Sequence, residues 1–107
     1  MRKLTYNQAA RRIVQAALRD FDATGISLFE RAVALEEAGA VNDAPIVSRK
    51  ADQLIADKEI ALLRRAARPN AQRNGAYARY VRFLEKRLLV TNSDAQSIAD
   101  CAILSAI

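Results

Sequence analysis

The sequence has 107 residues, of which 51% are apolar and 27% charged, with a formal net charge of +5. That length suits one domain, and the composition gives no reason to expect disorder. The single Cys101 excludes an internal disulfide, the absence of histidine removes the commonest general base and metal ligand, and no run approaches the ~18 apolar residues of a membrane span.

The opening segment, Met1 to Gln8, carries two positive charges with no apolar run behind them. It does not read as a secretory signal. A lone cysteine suits a reducing compartment, and the cytoplasm is the expected location. Arginine outnumbers lysine thirteen to four. A GC-rich genome would produce that bias, and the guanidinium fork also suits phosphate and carboxylate.

Capping-box signatures divide the chain into helices. They are Thr5-Tyr6-Asn7-Gln8, Ser27-Leu28-Phe29-Glu30 and Ser93-Asp94-Ala95-Gln96. In such a box the hydroxyl accepts from the backbone N–H three residues on, and the Gln or Glu reaches back. The first predicted helix runs from about Tyr6 to Asp22. Tyr6, Ala10, Ile13, Val14, Ala17 and Phe21 share its apolar face, opposite Gln8, Arg12, Gln15 and Arg19.

The second helix is expected to start after Ser27 and to end near Gly39, a natural C-terminal cap. Leu28, Phe29, Ala32, Val33 and Leu35 turn inward, and Glu30, Glu36 and Glu37 turn out. Between these helices Thr24-Gly25-Ile26-Ser27 looks like the turn of a helix-turn-helix. However, Asp20 and Arg31 stand where that motif packs small or apolar residues, and the second helix is acidic. The surrounding pattern therefore fits the motif poorly.

Asp43 and Pro45 predict the start of a third helix. It lasts until just before Pro69, with Val47, Ala51, Leu54, Ile55, Ala61 and Leu62 towards the core. Arg68 to Gly75 reads as a loop. A fourth helix extends to about Val90, with Tyr77, Val81, Leu84 and Leu88 in a stripe and Tyr80 at its margin. The last helix starts at Asp94. The expected fold is all-α, a compact bundle of about five helices forming a single helical domain over residues 1–107.

Little in the sequence suggests catalysis. Gly25, Gly39 and Gly75 are isolated, so no phosphate-binding glycine loop exists. Cys101, in an apolar helix, is expected to be a small buried hydrophobe. Asp52 and Glu59, seven apart on one helix face with Asp57 between them, are the one carboxylate group worth testing, and beside Lys50 and Lys58 they read as a solvated face. No enzyme, cofactor, metal or small-molecule substrate is inferred.

What remains is charge. Arg64, Arg65, Arg68, Arg73, Arg79, Arg82, Lys86 and Arg87 crowd one segment against Glu85 alone, whereas Gly25 to Leu63 is net acidic. A concentrated field attracts anions more strongly than a scattered one. Arg64, Arg65 and Arg68 also fit as cations at a helix C-terminus. Arg79, Arg82 and Lys86 have no such explanation, and helical geometry places Phe83 beside them on the face expected to be wet. The predicted site is therefore Arg73, Arg79, Arg82, Phe83 and Lys86, with arginines on phosphates and the ring available for stacking.

The expected partner is nucleic acid, a nucleoprotein or an acidic protein surface, which in a homo-oligomer would be the Gly25–Leu63 region of another copy. A solvated basic face competes with this, and an anionic membrane surface would want larger apolar residues along the helix. The alternative function is a structural or assembly subunit, such as an oligomeric adaptor or a phage-encoded or bacterial accessory protein. Its candidate interface is Ile98, Ile103, Leu104 and Ile107, on a helix apolar on most sides.

Overall fold

The computed structural model describes residues 3–69 and 75–106. Five helices follow in order: α1 (Tyr6–Arg19), α2 (Gly25–Glu37), α3 (Ala44–Ala66), α4 (Ala76–Leu88) and α5 (Asn92–Ala106). The all-α expectation holds, with no strand among the described residues. No described helix is long and apolar enough to cross a membrane. The packing divides the chain into two compact units, Met1–Ala56 and Asp57–Ile107, with the boundary inside α3.

In the first unit α1 begins with the capping box that the sequence announces. Thr5 Oγ1 accepts from the Gln8 N–H at 3.1 Å, and Gln8 Oε1 accepts from the Thr5 N–H at 3.0 Å. Ala9, Ala10, Ile13, Val14 and Ala17 are buried, and α2 packs on α1 through Leu28 and Ala32. Alanines let the two backbones approach, so the larger Leu28 is enclosed. Burying such a side chain contributes about 1.5–3 kcal/mol.

Helix α1 stops at Arg19, short of the expected Asp22. Asp20 caps it, Phe21 adopts a left-handed φ of 55°, and the Asp22 N–H donates to the Ala17 carbonyl at 2.7 Å. This is the Schellman ending, which satisfies carbonyls at the helix end. Once the helix ends, its periodicity no longer applies, so Phe21 leaves the apolar face and is exposed.

Helix α2 starts one turn earlier than expected. Thr24, not Ser27, is the cap, its Oγ1 accepting from the Ser27 N–H at 3.3 Å. Ser27 lies inside the first turn and donates its own hydroxyl to Asp22 Oδ2 at 2.7 Å. The two residues unsuited to a helix-turn-helix pair with each other: Arg31 Nη2 lies 3.2 Å from Asp20 Oδ2, and its Nε donates to Ser27 Oγ. Gly39, at φ 79°, ends α2 as expected, and the Ala40 N–H donates to the Leu35 carbonyl. Phe29, expected inside, is 47% exposed, because only Leu28 and Ala32 of α2 are fully covered.

Asp43 Oδ1 accepts from the Ile46 N–H, and Glu36 Oε2 accepts from the Ala44 N–H at 2.6 Å. Two carboxylates therefore meet the positive end of α3. Val47, Ser48, Ala51 and Ile55 form its buried stripe in this unit.

In the second unit α3 continues through Leu62 and Ala66, both buried, and α4 packs on α5. Helix α4 ends at Leu88, with Leu89 left-handed at φ 55° and the Val90 N–H donating to the Glu85 carbonyl. Thr91, not Ser93, caps α5, its Oγ1 accepting from the Asp94 N–H at 3.2 Å. Helix α5 buries Ala95 and Ala99. Cys101 stands about 140° round the helix from that pair and is exposed, which corrects the expectation that it is buried.

Candidate anion-binding face

Helix α4 organises the basic surface of the second unit. Ala76, Tyr80, Val81, Phe83 and Leu84 are its buried side chains. At 100° per residue they span an arc of about 160°, wider than the predicted stripe. Arg79, Arg82 and Lys86 occupy an arc of about 60° on the opposite side, and all three are exposed. Arg87, nearer the core, is half-buried.

Phe83 is the principal correction. It is 6% exposed, so its ring is not available to stack on a base. Its wheel position lies about 20° from Ala76, and Ala76 is itself buried. A stripe centred on Tyr77 and Leu88 placed Phe83 outside, but Tyr77 is half-buried and Leu88 is exposed near the helix ends. The midsection of α4 is covered on the side of Ala76, Tyr80 and Phe83 as well, and an apolar side chain falls there by the hydrophobic effect.

Arg73 lies outside the described residues. Arg64 and Arg65 are exposed in the last turn of α3, where positive charge offsets the helix dipole. Arg68, also exposed, follows that helix end, its N–H donating to the Arg65 carbonyl. Residues 57–107 carry nine basic and five acidic side chains, against eight and seven in residues 1–56, so the excess charge belongs to the unit that contains α4.

Two tyrosines flank this region and remain neutral at physiological pH. Burial, followed by the Asp100 hydrogen bond and the Asp100 charge, raises the pKa of Tyr77. Burial, followed by the charge of Glu59, raises that of Tyr80. An open groove of about 240 Å³ runs beside Arg82, lined by Tyr77, Val81, Glu85, Asn92 and Gln96. Its polar wall, Gln96 Nε2 donating to Asn92 Oδ1 at 2.7 Å, was not visible as a site in the sequence.

Asp52 and Glu59 meet different surroundings. Asp52 Oδ1 lies 3.9 Å from where a Cβ on Gly25 would stand, at the positive end of α2. That oxygen is buried without a hydrogen-bond partner among the described residues. Glu59 lies near Tyr80.

On α5, Ile98 and Leu104 are exposed, Leu104 by 74%, while Ile103 is half-buried and Ile107 lies outside the described residues. No protein-family model, curated protein or solved structure matches this chain.

Proposed function

We propose that this is a non-enzymatic interaction protein whose α4 face binds an anionic partner, with the backbone of a nucleic acid or nucleoprotein foremost. The observation that carries this is the exposure of Arg79, Arg82 and Lys86 together, opposite the buried side of one helix. Arg79 and Lys86 are seven residues apart, about 10.5 Å along the axis. That spans roughly three nucleotide steps of one strand at 3.4 Å each.

With Phe83 in the core, the mode changes from the one expected from sequence. Phosphate contacts position a protein but carry no sequence information, so this face binds without base selectivity. Its affinity falls steeply with salt as counterions are released. Fluorescence anisotropy with a labelled duplex is the test. The wild type binds at low salt and R79E/R82E does not. Absence of salt-dependent binding to any DNA or RNA overturns the proposal.

The exposure of Ile98 and Leu104 favours a second reading, an assembly subunit that works by protein–protein contacts. It predicts an oligomer or a stable complex. A strict monomer at high concentration, with no partner recovered by pull-down, would contradict it.

A further inference from the structure

Helix α2 carries a surface that neither the first unit's core nor the α4 face uses. Ile26 is 70% exposed, Phe29 is exposed and Val33 is half-buried. Their spacing of three and four residues places them in one stripe along the helix. Glu36 borders that stripe on one side, and Glu37 and Glu30 border it on the other. All three glutamates are exposed. The only basic residue of α2, Arg31, lies on a different side and is held by Asp20. Among the described residues neither Glu30 nor Glu37 forms an ion pair.

An apolar ridge with Glu30 and Glu37 along one edge, and with Glu36 already accepting from the Ala44 N–H at the other, fits a helix that presents cations on long aliphatic stems. This chain contains such a helix. Glu30 and Glu37 are seven residues apart on α2, and Arg79 and Lys86 are seven apart on α4. Each pair therefore spans about 10.5 Å. The arginine stems can lie on Ile26 and Phe29 while their heads reach the carboxylates, and a guanidinium over the Phe29 ring adds a cation–π contact.

We propose that the α2 stripe of one copy docks the α4 outer face of a second copy, so that the protein self-associates head to tail. The contact is heterologous, joining two different surfaces, so it can propagate. The inference rests on reading the α4 outer face as the anion-binding face, with carboxylates in the place of phosphates. Self-association and nucleic-acid binding then exclude each other, and added duplex dissociates the assembly.

The test is a charge swap followed by sedimentation equilibrium at low salt, with circular dichroism confirming that each variant is folded. The wild type associates, and R79E/K86E and E30R/E37R each lose association by about tenfold or more, as like charges meet. Mixing the two variants restores it, because each then offers the surface that the other lacks. A wild type that stays monomeric, single variants that associate like the wild type, or a mixture that remains dissociated overturns the proposal. Duplex binding by E30Q/E37Q, which removes the carboxylates without adding cations to α2, separates the two ideas. If that variant binds duplex while the wild type is monomeric, only the self-docking fails. If the wild type associates and the swap rescues while no duplex binds, only the nucleic-acid reading fails.

Discussion

The Tyr77 hydroxyl donates to Asp100 Oδ1 at 2.9 Å, joining the first turn of α4 to the middle of α5. These two helices otherwise meet through side chains as small as Ala95 and Ala99, so a polar tie at their margin fixes register more than it adds burial. Asp100 is exposed, so the bond is weakened by solvent. Tyr77→Phe is expected to cost up to about 1 kcal/mol. In a domain of this size that lowers the thermal midpoint by roughly 4–8 °C, which calorimetry measures.

Burial of Tyr77 and Tyr80, reinforced by Asp100 and Glu59 respectively, sets an alkaline limit. The Tyr77 and Tyr80 hydroxyls both have pKa values raised in the folded state. An acid whose folded pKa lies above its unfolded value leaves the folded state holding more protons, so stability falls as pH rises. The contribution is complete below the ordinary tyrosine value of about 10 and is lost as pH climbs through the folded values. Urea midpoints are expected to be flat with respect to these groups below that value and to fall above it. The fall should be shallower in Y77F/Y80F; an equally steep fall in that variant would show that other groups set the limit.

Phe21 and Leu89 stand in left-handed conformations that L residues resist, while Gly39 fills the equivalent place after α2. Leu89 is 72% exposed and loses little by truncation. Leu89→Gly is therefore expected to hold or raise stability, by up to about 1 kcal/mol, whereas Leu89→Ala brings no such relief. Gly39→Ala should have the opposite sign, costing about 1 kcal/mol. A Cβ there meets nothing within 4 Å, so the cost is backbone strain alone. Denaturant midpoints of the three variants check the ordering.

The caps give a paired comparison on α5. Thr91→Ala removes the hydroxyl that accepts from the Asp94 N–H and is expected to cost about 1 kcal/mol. Ser93→Ala, one residue into the exposed first turn, should stay within about 0.5 kcal/mol of the wild type. The reverse order, with the larger loss in Ser93→Ala, would place the cap at Ser93.

The helices were legible wherever one local signal acted alone. Thr5 and Gln8 formed their box, Gly39 ended α2 and Asp43 opened α3, each as expected. The sequence misled where two caps competed. Thr24 and Thr91 lie just upstream of Ser27 and Ser93, and a nucleated helix gains an intrahelical bond for each residue added, which favours the earlier cap. The ends of α1 and α4 were obscured because Phe21 and Leu89 occupy places where glycine is the usual signal.

The exposure of the basic side chains was more legible in the sequence than the burial of their aromatic neighbour. Arg79, Arg82 and Lys86 are too polar to enter a core under any packing, so their exposure followed from residue type. Phe83 depended on how wide the buried arc of α4 would be, which tertiary packing determines and periodicity does not. Cys101 and Ile98 depended in the same way on α5 meeting α4 through alanines.

The most direct test of the central claim is the salt dependence of duplex binding in the wild type and in R79A, R82A and K86A. Each phosphate contact contributes about 0.9 to the slope of log affinity against log salt. The α4 face predicts a shallower slope by about one in each variant, with Phe83→Leu leaving it unchanged. Wild-type slopes in all three basic variants would contradict the account, because the anionic partner would then be held elsewhere.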